Sequence, residues 1–190
     1  MTKPERTLEW KQKADGSLRG ILDDVNCWDL TPYPPLSDQQ LDRIDVMLTA
    51  TITDGPDRTV VGVVGIALVP MSRHQVEGYL SLVAVRPSHR HGGIGRTLMH
   101  EVAQSIGLGQ TKTTERVSPC PVGMHRLRLH TMRGTRTAGS VSDLLDTVAW
   151  YSRLGFQVRR VIPKYYRFAL DDDGVEMVLD LTSRKRDRLK

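Results

Sequence analysis

YLSLVAVRPSHRHGGIGRTLM, residues 79–99, is the stretch on which the reading of this chain turns. It starts as an apolar, β-branched run, is broken at Pro87, crosses a basic turn holding Gly92, Gly93 and Gly95, and resumes with helical spacing. A strand, a short loop and a helix in that order aim several unpaired N–H groups and the positive helix end at one point, and glycines let a ligand approach the backbone there. Arg90, His91 and Arg96 surround that point with positive charge. The stretch therefore predicts an anion site suited to a diphosphate rather than a lone carboxylate. Neither G-x-G-x-x-G nor G-x-x-x-x-G-K-[ST] can be laid on these residues, which argues against a dinucleotide or Walker loop.

On the N-terminal side, residues 7–10 read as a short strand. Residues 17–27 read as an amphipathic helix carrying Leu18, Ile21, Leu22 and Val25 at spacings of three and four, with Ser17 as its cap. The prolines at 32, 34 and 35 make a stiff loop, and Ser37 caps a short helix to about residue 44. Residues 46–53 and 59–69 form a hairpin around the turn at Asp54-Gly55-Pro56-Asp57.

The central strand is expected over 79–85 and the loop-fed helix over 93–106. Residues 107–122 follow as a Gly-, Thr- and Pro-rich loop, long for a compact domain. RLRLHTM, 126–132, alternates as a strand with Leu127, Leu129 and Thr131 on one face and Arg126, Arg128, His130 and Met132 on the other. A helix over 141–154 is closed by Gly155, and strands at 156–162 and 175–181 end the fold. Their connection, Pro163 to Phe168, is aromatic where a hairpin loop should be polar, which marks a binding surface. The order is β-α-α-β-β-β-α-β-α-β-β: an α/β chain, more exactly an α+β mixed sheet, with helices on both faces. One domain is expected over residues 1–181, followed by a basic tail at 182–190.

The 190 residues suffice for one domain with a real core, and the net charge is +5. A positive surface concentrates a polyanionic ligand and is no sign of specific DNA binding. No apolar run is long enough to cross a bilayer and no signal-peptide core follows Met1, so the expectation is a soluble, cytoplasmic protein without a membrane span. Cys27 and Cys120 are isolated and lack metal-ligand spacing, so no metal site is expected. The tail, with Arg184, Lys185, Arg186, Arg188 and Lys190, reads either as a solvated end or as a contact for an acidic partner such as ribosomal RNA.

Arg90-His91-Gly92-Gly93-Ile94-Gly95 fits [QR]-x-x-G-x-[GA], and with the strand before it and the helix after it the chain resembles the GCN5-related N-acetyltransferase (GNAT) superfamily. The resemblance runs from about residue 7 to 181. It implies that fold, a central mixed sheet flanked by helices, and acetyl-coenzyme A as cofactor. It also implies cofactor contacts from Val83, Ala84 and Val85 through their backbone, from Arg90, His91, Gly92, Gly93, Ile94, Gly95 and Arg96 around the diphosphate, and from Tyr151 near the coenzyme sulfur.

Further residues resemble protein N-terminal acetyltransferases of the NatE and NatF type. They are His130 in the LH of its strand, Tyr79 on the preceding strand, the PKYY of residues 163–166, and the Asp173-Gly174-Val175-Glu176-Met177 ending. The resemblance implies Tyr79 and His130 acting through water as the base, with Tyr151 as proton donor or contact. It implies a peptide site from Leu30, Pro32 and Tyr33, Ser81, Tyr165 and Tyr166. The implied activity is acetyl transfer to the free α-amino group of a protein or peptide N-terminus by direct attack; for such an enzyme the basic surface offers a contact for a ribosome or auxiliary acetyltransferase subunit. Two alternatives stay open: an acetyltransferase of the same fold acting on a lysine or small amine, and a non-catalytic binding subunit.

Overall fold

The computed structural model describes residues 5–12, 43–54, 56–73, 75–108, 124–132, 147–166 and 172–181. Seven strands form one sheet: β1 Glu5–Gln12, β2 Val46–Asp54, β3 Asp57–Ser72, β4 Gln75–Val85, β5 Met124–Met132, β6 Gln157–Tyr166 and β7 Asp172–Asp180. The order across the sheet is β1-β2-β3-β4-β5-β7-β6. Every neighbouring pair is antiparallel except β4 and β5, which are parallel. A parallel pair needs a crossover, and helix α1, Ile94–Leu108, lies in it. Helix α2, Thr147–Arg153, precedes β6. Among the described residues no helix is long and apolar enough to cross a membrane.

The core lies between the sheet and α1. Leu98, Met99, Val102 and Ala103 form the buried stripe of that helix and join one apolar cluster with Val64, Ile66, Leu127, Leu129, Met177, Leu179 and Phe156. Each large side chain so buried contributes about 1.5–3 kcal/mol relative to exposure. The alternation expected in β5 holds: Leu127, Leu129 and Thr131 are buried, while Arg126, Arg128 and His130 are half-buried on the opposite face.

Two irregularities open the sheet. The β4–β5 ladder runs only from Val76↔Met124 to Tyr79↔Arg128, so beyond Tyr79 the two strands no longer pair. In the β3–β4 ladder Gly65 faces Leu82 and Ile66 faces Leu80, which leaves Ser81 as an extra, bulged residue. The bulge shifts the phase of β4. An added Cβ at Gly78 would meet Leu127, and one at Gly95 on α1 would meet the Val85 side chain. Residues 78 and 85, an odd number apart, thus face the same side.

Several expected boundaries change. Helix α1 runs on to Leu108, so Gly107 is helical and not the start of a loop; a glycine there weakens a helix without ending it. Strand β4 begins at Gln75 rather than at Tyr79, and β7 at Asp172 rather than at Val175. Pro163 to Tyr166 belongs to β6 and is not a connecting loop, which explains its aromatic content. Its irregular course is held by the Lys164 N–H donating to Asp173 Oδ1 at 3.1 Å, with Lys164 at φ +52°. The helix expected over 17–27, the proline loop, nearly all of the short helix after it, most of the loop at 107–122, the start of the helix over 141–154 and the basic tail lie outside the described residues.

Candidate active site

The glycine-rich turn forms as its composition requires. A short 3-10 turn, Pro87–His89, carries the chain from β4 to Arg90. His91 and Gly93 then take positive φ, +62° and +78°, the second being the conformation glycine reaches without strain. The Thr97 N–H closes the first helical bond onto the Gly93 carbonyl at 2.9 Å. The N–H groups of Ile94, Gly95 and Arg96 in the first turn therefore have no acceptor within the helix.

Arg90 Nε donates to the Val85 carbonyl at 3.1 Å, while its Nη2 is buried without a hydrogen-bond partner. A buried, unpaired guanidinium donor next to free helix-end amides is a cradle for an anion. Gly95 sits where an added Cβ would come within 3.3 Å of the Trp150 ring, so α1 and α2 meet closely at the end of the turn.

On the face opposite α1, register brings polar side chains from four strands into a row. Tyr79 on β4 lies beside Arg128, His130 on β5 faces Glu176 on β7, and Glu176 faces Arg160 on β6. The Tyr79 hydroxyl is 3.0 Å from His130 Nδ1. His130 Nε2 is 3.5 Å from Glu176 Oε2, which accepts from Arg160 Nε at 2.8 Å. The Tyr165 ring stacks on His130 with centroids 4.8 Å apart and planes 18° from parallel, and Tyr166 meets Tyr165 edge-on. Gly174 makes room for this stack, because a Cβ there would come within 2.7 Å of Tyr165 Cβ. Below Tyr79, the buried Glu77 carboxylate pairs with Arg126 and with Arg128, and the Arg128 guanidinium lies 5.6 Å from the Tyr79 ring centre.

These surroundings set the protonation states. Burial pushes the Tyr79 phenol well above its ordinary range, with the Tyr165 hydroxyl adding to the effect, so Tyr79 stays protonated and donates. Burial also lowers the His130 imidazole below its usual value; Glu176 opposes this and Arg128 adds to it. A neutral imidazole accepting at Nδ1 carries its proton on Nε2, facing Glu176. Burial alone would raise the Glu176 carboxyl, but the hydrogen bond and charge of Arg160 hold it below its usual value.

Tyr79, His130, Tyr165 and Tyr166 thus come together. Ser81 lies at the β4 bulge, its hydroxyl 3.4 Å from the Tyr79 carbonyl. Val83, Ala84 and Val85 follow where β4 has lost its β5 partner, although the Val85 carbonyl is taken by Arg90. Tyr151 is separate: its ring contacts are Trp150 and Phe156, burial raises its phenol, and no hydrogen bond or ring contact among the described residues joins it to Tyr79 or His130. Leu30, Pro32 and Tyr33 lie outside the described residues. Glu77, Arg128, Arg160 and Glu176 are site residues whose roles no motif marks; the alternation of Arg126, Arg128 and His130 and the place of Glu176 in the Asp173 to Met177 ending are the local signs, and the rest depends on cross-strand register.

No curated protein sequence matches the chain. Among solved structures, Naa50 of Arabidopsis thaliana in complex with the bisubstrate analogue CoA-Ac-MVNAL superposes with a TM-score of 0.65 at 17% identity, over 91% of this chain and 98% of that one. The ribosomal-protein-S18-alanine N-acetyltransferase of Escherichia coli gives 0.61 at 16% over 92% and 94%. An aminoglycoside 6'-N-acetyltransferase complexed with coenzyme A gives 0.59 at 16% over 92% and 97%. At such identities the likeness is one of fold. The family model described as "Acetyltransferase (GNAT) domain" matches residues 52–158, which include the splayed strands, the glycine turn and His130, and the chain belongs to that family of acetyltransferases.

Proposed function

We propose that this acetyltransferase moves the acetyl group of acetyl-coenzyme A onto the free α-amino group of a protein or peptide N-terminus. The observation that carries the reading is the 3.0 Å contact between the Tyr79 hydroxyl and His130 Nδ1, under the paired aromatic rings of Tyr165 and Tyr166. The turn from Arg90 to Gly95 suits the coenzyme's diphosphate, through the free amides of the first turn of α1, the unpaired Arg90 Nη2 and the charge of Arg96. The unpaired edge of β4 from Leu82 to Val85 offers backbone groups to the pantetheine arm. When bound, the coenzyme supplies the acetyl group as a thioester.

The chain's own residues handle the proton. An α-amine has a pKa of about 7.7–8 and loses its proton to a modest base. The protonated Tyr79 is not that base by itself. It passes its hydroxyl proton to His130 Nδ1 as it takes one from the amine, directly or through a water. Tyr165 and Tyr166 present phenol hydroxyls that can bind peptide backbone without reading side chains. Leu30, Pro32 and Tyr33 complete this peptide site in the same reading, and Tyr151 serves the coenzyme sulfur.

The test is coenzyme A release with short peptides that differ only in their N-terminus. Turnover on free N-termini, lost when the α-amine is blocked and an internal lysine is left, supports the proposal. Turnover on the blocked, lysine-containing peptide, or on polyamines alone, assigns the enzyme to side-chain or small-molecule amines and rejects it.

A further inference from the structure

Glu176 is 4% exposed in the middle of β7, and a carboxylate buried that deeply is retained only where something compensates it. Its register partners are His130 on one side and Arg160 on the other. Arg160 supplies the nearer charge and holds the carboxylate by a 2.8 Å hydrogen bond, but its side chain is 64% exposed at the sheet edge, whereas the His130 side chain is only 10% exposed. The other partner is the imidazole. At 3.5 Å the contact with His130 Nε2 is electrostatic, and it strengthens when the ring becomes a cation.

We propose that Glu176 is the positioning residue of the acid–base pair: it fixes the His130 proton on Nε2, leaves Nδ1 open to Tyr79, and stabilises the imidazolium formed when Nδ1 receives a proton. Arg160 holds the carboxylate ionised and in place through its bond to Oε2, and Arg159 adds charge at 3.7 Å from Oε1. The proposal rests on the proton-transfer reading of Tyr79 and His130 above. In that step the amine N–H bond breaks, its proton reaches the Tyr79 oxygen, and the former phenol proton forms the Nδ1–H bond. Tyr79 ends neutral, His130 ends as imidazolium, and Glu176 stays a carboxylate throughout.

The groups facing His130 fix the sign of the expected effect. Tyr79 on β4 is a neutral phenol and the Tyr165 ring on β6 stacks on the imidazole; Arg128 on its own strand and Arg160 on β6 disfavour the cation; Glu77 is engaged by Arg126 and Arg128. Glu176 is thus the anion of this set that favours the imidazolium. Replacing it with glutamine leaves the ring beside two guanidiniums without compensation.

The test is a pH titration of the His130 ring proton by NMR in the free, full-length protein, with kcat and KM measured alongside. Glu176→Gln is expected to move the His130 titration to lower pH and to reduce kcat about tenfold, with KM for both substrates little changed. Glu176→Asp, which keeps the charge, returns the titration toward that of the unmodified protein. An unmoved titration with unchanged kcat in the folded Gln variant overturns the proposal. Should that variant fail to fold, the nitrogen NMR shifts of the His130 ring in the unmodified protein carry the test: a neutral ring protonated on Nε2 supports the proposal, and one protonated on Nδ1 overturns it. The readings fail separately. Full turnover in His130→Ala rejects the acid–base assignment itself, whereas an inactive His130→Ala beside a Glu176→Gln indistinguishable from the unmodified enzyme rejects Glu176 alone.

Discussion

The glycine turn and the polar row are built by opposite means. The turn uses consecutive residues, Arg90 to Arg96, and offers mainly backbone: two positive-φ residues, a helix end and one orphaned guanidinium nitrogen. The row takes Tyr79, His130, Glu176 and Arg160 from four strands and offers only side chains, aligned by sheet register. Backbone sites tolerate exchange of most side chains that leave the main-chain path intact. Side-chain relays fail when one atom is removed.

The largest effect expected from this contrast is at the row. His130→Ala removes the acceptor and should lower kcat by about 10²–10⁴ while leaving acetyl-coenzyme A affinity near normal, as read by calorimetry. A comparable loss of coenzyme affinity would show that the two regions are not separate. Next comes the turn. An added Cβ at Gly93 meets no protein atom within 4 Å, although its φ of +78° strains any side chain, so Gly93→Glu adds a negative charge at the turn and should weaken coenzyme binding roughly 10–100-fold. Gly93→Asn, which tolerates the left-handed conformation, is the control that should bind well. Near-normal affinity in Gly93→Glu would refute the loop assignment.

Tyr79→Phe keeps the ring over Arg128 and deletes only the hydroxyl; kcat should fall about tenfold with the fold unchanged. The smallest effect is one of pH. His130 acts as its neutral form, and burial depresses its pKa, so the acidic limb of kcat/KM belongs below the ordinary value of about 6.5, apart from the substrate amine's limb near ~7.7–8. That lower limb should vanish in His130→Gln, and its persistence would assign it to another group.

Much of this architecture could be read from residues alone, for physical reasons that differ by region. The turn was legible because its parts are contiguous and glycine at positive φ leaves a compositional mark. The β5 faces were legible because period-two alternation is local. The relay partners were not: Glu176 and Arg160 lie on strands whose register is decided by tertiary pairing. The β4 bulge at Ser81, which changes which residues face the helix, has no marker in LSLVAV. The segment from Pro163 reads as a loop in the sequence because Asp173 and Gly174, which hold its course and leave room for Tyr165, act from the neighbouring strand.

The central claim is that one opening in the sheet joins the anion turn to the Tyr79–His130 pair. A crystal structure with acetyl-coenzyme A tests it most directly. The diphosphate is expected on the amides between Gly92 and Gly95 with Arg90 Nη2 satisfied, the pantetheine arm along Leu82 to Val85, and the acetyl group next to the Tyr79 hydroxyl. A coenzyme bound elsewhere, or one whose acetyl group lies away from Tyr79 and His130, would contradict it.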